Sequence, residues 1–299
     1  MLKGLAITPP AIGRISIGRV VERNGKRLPE KDDQFTLTSQ VQNREGWVLH
    51  PLDEALRKES GGKLRSIPVR LLFDDPTLNL RADYSLFDRT TGRPLCVGNG
   101  ETSRRMGKEG ISQQVCPSPE GCSFAMGECK AYARLNVVIG DGEEDALGSF
   151  VLRTTSFNTI RTLAARLQYF SAVSGGRLAC MPLELKLRGK STTMSHRTAI
   201  FYVDLVVRSG LTLEQAIAEA RVKDEQRKDS GFDQAALDEA ASRGFANGAF
   251  EELDEDVPAV VEEFYPDAPA TDAGTAAAKV ATVRLRGRLQ DKVARMGTG

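Results

Sequence analysis

The chain has 299 residues, of which 40% are hydrophobic and 27% charged, with a formal net charge of +1. This is the composition of a globular protein long enough to bury a core, and near-neutrality argues against a surface that coats a polyanion. No apolar run approaches the ~18 residues that a membrane-spanning helix needs. The opening MLKGLAITPPAIGRISIGRV, interrupted by Pro9, Pro10 and Arg14, makes a poor signal peptide. A cytoplasmic protein with no membrane partner is expected, in which clustered cysteines read first as metal ligands rather than disulfides.

The N-terminal part reads as strands and turns. ISIGRVVERNGKRL predicts a hairpin turning at Asn24-Gly25, DQFTLTSQV alternates as a half-buried strand, and RSIPVRLLFDD contains a short apolar one. YSLFD and RPLCV then pair across a Thr-Gly turn, which puts Cys96 at the end of a hairpin arm. CKAYARLNVVIG leads into another strand, and Gly140-Asp141-Gly142 turns it toward GSFVLRTTS. The clearest helix is SFNTIRTLAARLQYFSAVSGG, with Ile160, Leu163, Ala164, Leu167 and Phe170 on one face and Gly175-Gly176 as its stop. MPLELKLR and TAIFYVDLVVR form a long hairpin around the basic tip GKSTTMSHR. Past Gly210 a helix opens with Thr212 as N-cap and Gln215 in the capping-box position, and FDQAALDEAASRGF makes a second.

The expected fold class is α+β. An antiparallel β-rich core over residues 1–210, with one long packed helix and a cysteine zinc-binding loop, precedes a helical extension over 211–248. From 249 to 299 the composition turns to Ala, Asp, Glu, Pro and Thr and reads as a disordered charged tail.

Three of the five cysteines fall in CPSPEGCSFAMGECK, at Cys116, Cys122 and Cys129, among prolines and glycines that let the chain wrap an ion. Zinc takes four deprotonated ligands at tetrahedral positions. Cys96, after a strand and before the VGNG turn, is the best fourth ligand; Cys180 in an apolar context and His196 on the basic tip compete less well. An iron–sulfur cluster also suits four thiolates, and unligated thiols are the plain alternative. A catalytic zinc keeps a position open for water and usually draws on histidine or carboxylate. With His50 and His196 alone, and no HxH, HxxxH or HExxH arrangement, a closed structural site is the better fit. No catalytic residues are assigned, and there is no phosphate loop, GxGxxG or GxSxG elbow. A metal-dependent hydrolase would have to draw on Asp74, Asp75 or His196.

Charge is segregated at the C-terminal end. Residues 251–267 carry eight acids and no base, and residues 279–295 carry six bases and one acid. Arg188, Lys190 and Arg197 on the long hairpin and Arg284, Arg286 and Arg288 in the tail are the candidate DNA or partner contacts. With Phe250 just before it, the acidic stretch interleaves Leu253, Val257, Val260, Val261, Phe264 and Tyr265. It can dock into a basic groove of a partner, fold back on the basic segment, or act as a solvating spacer. A single-strand-binding protein is a third reading, weakened by aromatics at only 6%.

YSLFDRTTGRPLCVGNGE, CPSPEGCSFAMGECKAYARLNVVI and GSFVLRTTSFNTIRTLAARL together resemble the recombination directionality factor-like proteins of serine-integrase phages and integrative conjugative elements. The shared pattern covers about Ile67 to Arg208. The resemblance implies a non-enzymatic accessory protein that binds a site-specific integrase or other recombination protein, with DNA as a further partner. It also implies ligands at Cys96, Cys116, Cys122 and Cys129, and it supplies no catalytic residue. Element-borne relatives often carry hydrolase or metal-binding labels.

Overall fold

In a computed structural model of the protein, the residues described are 10–23, 26–43, 46–140, 148–191, 199–245, 260–261 and 264–265. Strands β1 (Ala11–Arg23), β2 (Lys26–Asn43) and β3 (Gly46–Leu49) lead to helix α1 (Pro51–Glu59). Next come β4 (Ser66–Arg70), the short helix α2 (Pro76–Asn79), β5 (Leu80–Phe87), β6 (Pro94–Gly98), β7 (Thr102–Gly107) and β8 (Gly110–Val115). A single helical turn, α3 (Ser118–Gly121), precedes β9 (Lys130–Ile139), β10 (Ser149–Thr154) and α4 (Phe157–Ser174). The 3-10 turn Leu178–Cys180, β11 (Leu183–Lys190), β12 (Ile200–Val207), α5 (Leu213–Asp229) and α6 (Gln234–Phe245) complete the order. No helix among the described residues is long and apolar enough to cross a membrane.

The strands run β3-β2-β1-β10-β9-β5-β6-β7-β8 across one large sheet, and β4 branches from the end of β9 to carry β11 and β12. The ladders are antiparallel except that of β1 with β10, which is parallel and joins Ala11 to Ser149. That pairing is distant in sequence and leaves no local signal. The turn expected at Asn24-Gly25, the one at Asp141-Gly142 and the tip at 192–198 lie outside the described residues.

Helix α4 covers one face of the sheet. Ser156 Oγ accepts from the Thr159 N–H at its start, and Gly175, at φ 66°, stops it in the left-handed region that suits glycine. Its buried side chains Ile160, Leu163, Leu167, Phe170 and Ser174 recur every three or four positions, with Thr159 buried beside the first. Ile160, Leu163, Leu167 and Phe170 join Leu80, Leu135, Leu152, Leu183 and Leu205 in the main core. Thr159 Oγ1 accepts from the Val203 N–H at 3.2 Å, fixing the helix against β12.

The segment after Gly210 packs onto this body. Ala216 and Ala220 of α5 are buried in the main core, and Arg70 joins Glu219 at 2.7 Å and the Cys180 carbonyl at 2.6 Å. α6 is fixed through Asp238, whose carboxylate accepts from the Asp74 and Asp75 N–H groups at 2.9 and 3.0 Å. Of the tail expected to be disordered from residue 249, only 260–261 and 264–265 are among the described residues. Val260, Phe264 and Tyr265 are buried against Phe87 and Tyr132 of the sheet. The acidic composition hid this because only these few apolar side chains need an apolar seat.

Candidate functional site

The β5–β6 hairpin sets the position of Cys96. Asp88 starts its turn, its Oδ1 accepting from the N–H groups of Thr90 and Thr91 and from Thr91 Oγ1. Those donors hold its carboxyl below the usual range. Cys96 then pairs with Leu86 on one side and Arg105 of β7 on the other. The β7–β8 hairpin, which the sequence reading passed over, returns the chain to Cys116, whose N–H donates to the Glu101 carbonyl at 2.9 Å. Cys122 ends α3, and Cys129 lies one residue before β9. The loop between them turns at Met126 (φ 47°) and Gly127 (φ 85°).

Strand pairing thus brings together four thiols that span 34 positions of sequence. Cys96, Cys116, Cys122 and Cys129 line one small cleft with Tyr84, Ser103 and Phe124. Burial, and then the neighbouring Cys122, Cys96 and Cys116, push the Cys129 thiol up to about 11. The four therefore lie within electrostatic reach of one another. Gly98 makes room for them: a Cβ there would stand 2.9 Å from Cys116 Sγ and 2.8 Å from the Thr102 carbonyl oxygen. Among the described residues, no three His, Cys, Asp or Glu side chains stand close enough together to hold a metal ion as they are placed. The donor set itself fits a thiophilic ion, because each thiolate raises the cost of the next until a cation balances them.

Cys180, expected to pack as a small hydrophobe, is buried, and burial raises its thiol; Arg227 Nη1 lies 3.7 Å from its sulfur. His50 caps α1 through Nδ1, which accepts from the Leu52 N–H, and its ring meets Phe150 edge-on at 4.9 Å. His196 lies outside the described residues. The two carboxylates considered for a hydrolase are engaged elsewhere. Asp74 Oδ1 accepts from the Ala179 N–H at 2.8 Å, and Asp75 Oδ1 caps α2 through the Thr77 N–H at 2.7 Å.

Of the basic candidates, Arg188 reaches Asp204 at 3.3 Å beside Arg166, and Lys190 reaches Asn158 at 2.8 Å. Both are held in contacts that join β11, β12 and α4. Arg197, Arg284, Arg286 and Arg288 lie outside the described residues.

A different cationic feature emerges from strand register. Arg81, Arg134 and Arg153 stand side by side on β5, β9 and β10, on the sheet face opposite Leu80, Leu135 and Leu152. Arg81 and Arg134 share a cleft with Asp83, Ser85, Phe87, Val97 and Tyr132. Burial pushes the Asp83 carboxyl above its ordinary range despite the pull of these two arginines. Like charges directly opposite one another disfavour a sheet unless anions accompany them. No spacing rule could have found this row, since it arises from pairing between distant strands.

The sequence model of one family, described as Gp3-like, recombination directionality factor-like, matches residues 12–208. That span holds the four-cysteine cleft, the arginine row and α4, and it ends at β12. Nothing among curated proteins and nothing among solved structures matches the chain.

Proposed function

The chain belongs to the recombination directionality factor-like family, and from that premise we propose that it is a non-enzymatic accessory protein of a mobile genetic element. Its family gives it a role in recombination and in contacts with the recombination machinery. In the finer reading it binds a site-specific integrase in the cytoplasm and biases the direction of strand exchange, with DNA as a second contact. Cys96, Cys116, Cys122 and Cys129 hold a zinc ion that cross-links β6, the α3 loop and the start of β9. An iron–sulfur cluster would use the same ligands.

The observation that carries this reading is the common cleft of the four cysteines, inside the span that matches the family. A structural ion suits it because thiolates alone close the coordination sphere, whereas a hydrolytic metal needs an open position. The engagement of Asp74 and Asp75 in backbone caps favours the accessory role over the hydrolase.

Two measurements test it. Metal analysis of purified protein should return about one zinc per chain, reduced to background by Cys116→Ser. Recombination by the cognate integrase on its attachment sites should change direction when the protein is added. An integrase indifferent to the protein overturns the directional role, and metal-free folded protein overturns the zinc.

A further inference from the structure

The short described segment near the C-terminus sits on the core in a specific way. Val260, Phe264 and Tyr265 are 0, 0 and 5% exposed, and with Phe87 and Tyr132 they form an apolar cluster separate from the main core. The floor is aromatic: the Phe264 ring lies 5.0 Å from Phe87 and 6.2 Å from Tyr132, both edge-on. The walls are cationic. Arg89 stands 4.6 Å from the Tyr265 ring, and the Lys130 ammonium stands 5.2 and 5.6 Å from the rings of Phe264 and Tyr265.

Polar contacts fix the register of the segment. Lys130 Nζ donates to the Phe264 carbonyl at 2.9 Å, and the Tyr265 hydroxyl donates to the Phe87 carbonyl at 2.6 Å. The Tyr265 N–H closes one helical turn on the Val261 carbonyl at 2.8 Å. The seat therefore reads an aliphatic residue followed four and five positions later by two aromatic ones. In sequence, Glu262 and Glu263 lie between these anchors, with Asp267 just beyond. Toward the centre of the sheet the same face continues into the cleft of Arg81 and Arg134. An aromatic floor flanked by two cations, of which Arg89 also pairs with Glu128 at 2.7 Å, suits an aromatic peptide, and the Lys130 ammonium beside it favours one that carries acids.

The tether does not force this position. About fourteen residues separate Phe245 from Val260, enough to reach roughly 50 Å if extended, so the segment is held here by complementarity. We propose that Phe87, Tyr132, Arg89 and Lys130 form a docking groove for acidic peptides of the Val-x-x-x-Phe-Tyr pattern, and that this chain's own Val260–Tyr265 segment is the resident occupant. An occupant on a tether of this length acts at an effective concentration on the order of millimolar. A free peptide of the same sequence must compete with it.

The test uses the full chain and a fluorescein-labelled peptide of sequence VPAVVEEFYPD. The double variant Phe264→Ala, Tyr265→Ala, which vacates the groove, should bind the peptide ~10- to 100-fold more tightly than the parent chain. Tyr265→Phe, which deletes only the hydroxyl contact, should give an intermediate gain and leaves the fold intact if the double variant does not. A peptide carrying Ala in place of both aromatic residues should not bind. Equal affinity of vacated and parent chains for the peptide, or equal binding of the two peptides, overturns the groove. A parent chain that is dimeric by light scattering and becomes monomeric in the double variant overturns occupancy in cis, because the segment is then exchanged between copies.

Discussion

Around α4, Leu163, Leu167 and Leu178 are almost entirely withdrawn from solvent, whereas every residue of β8 is exposed and β7 buries only Ser103. The body of the protein is held by apolar area, at ~25 cal/mol per Å² removed from water. The lobe made of β6–β8 and the loop that follows to Cys129 has Pro94, Val97 and Ala125 among its few buried apolar residues. Yet this sparsely packed lobe carries the four thiols. A region with too small a core to order itself is where a metal cross-link contributes most, and this physical asymmetry adds weight to the structural reading of the cysteines.

The largest expected effect separates the two regions. Chelation, or Cys96→Ser, should raise amide hydrogen exchange across Pro94–Val115 by on the order of a thousandfold, while the amides of α4 keep their protection. Equal loss in both regions would show that the lobe and the body unfold as one. Leu163→Ala should act in the opposite sense. It should lower global stability in denaturant by ~2–5 kcal/mol and leave metal content at the parent value. Gly98→Ala should cost ~1–3 kcal/mol, because the new methyl displaces Cys116 and the β7 backbone. On the zinc reading proposed above, its signature is faster zinc loss to a chelator at unchanged secondary structure by circular dichroism.

The smallest effect concerns the arginine-bearing face. Burial raises the Asp83 carboxyl in the folded state, so ionising it costs stability. That cost is absent below the unfolded-state value near pH 4 and is fully present above the folded-state one. Asp83→Asn should therefore melt higher than the parent at pH 7, with the difference vanishing as the pH falls toward ~4. A difference that grows on acidification would mean that attraction to Arg81 and Arg134 outweighs burial.

Local chemistry decided which features were legible. α4 announced itself by its cap and its apolar periodicity, α5 by the Thr212–Gln215 capping box, and the β5–β6 hairpin by its Thr-Gly turn. The convergence of Cys96 with the other three could be argued because a hairpin carries it back toward them. The β7–β8 hairpin was missed since its strands, TSRRMG and GISQQV, bury almost nothing and so lack alternation. α1 was missed because histidine stands at its cap, outside the usual set of capping residues. The arginine row and the seat of Phe264 depend on partners far away in the chain. Windowed patterns carry no information about those.

The parallel ladder between β1 and β10 has a consequence for synthesis. Ala11 must wait for Ser149, on the order of 140 residues of translation, which at ~5–20 residues per second lasts about 7 to 30 seconds. Throughout that interval the β1–β2 hairpin leaves the ribosome with one edge unpaired, a template for strand addition by other chains. Contacts of such long range also slow the final closure of the sheet. The nascent chain is thus most vulnerable to aggregation just before β10 appears, and a host chaperone that shields exposed strand edges would raise the yield of this protein more than one that acts after release.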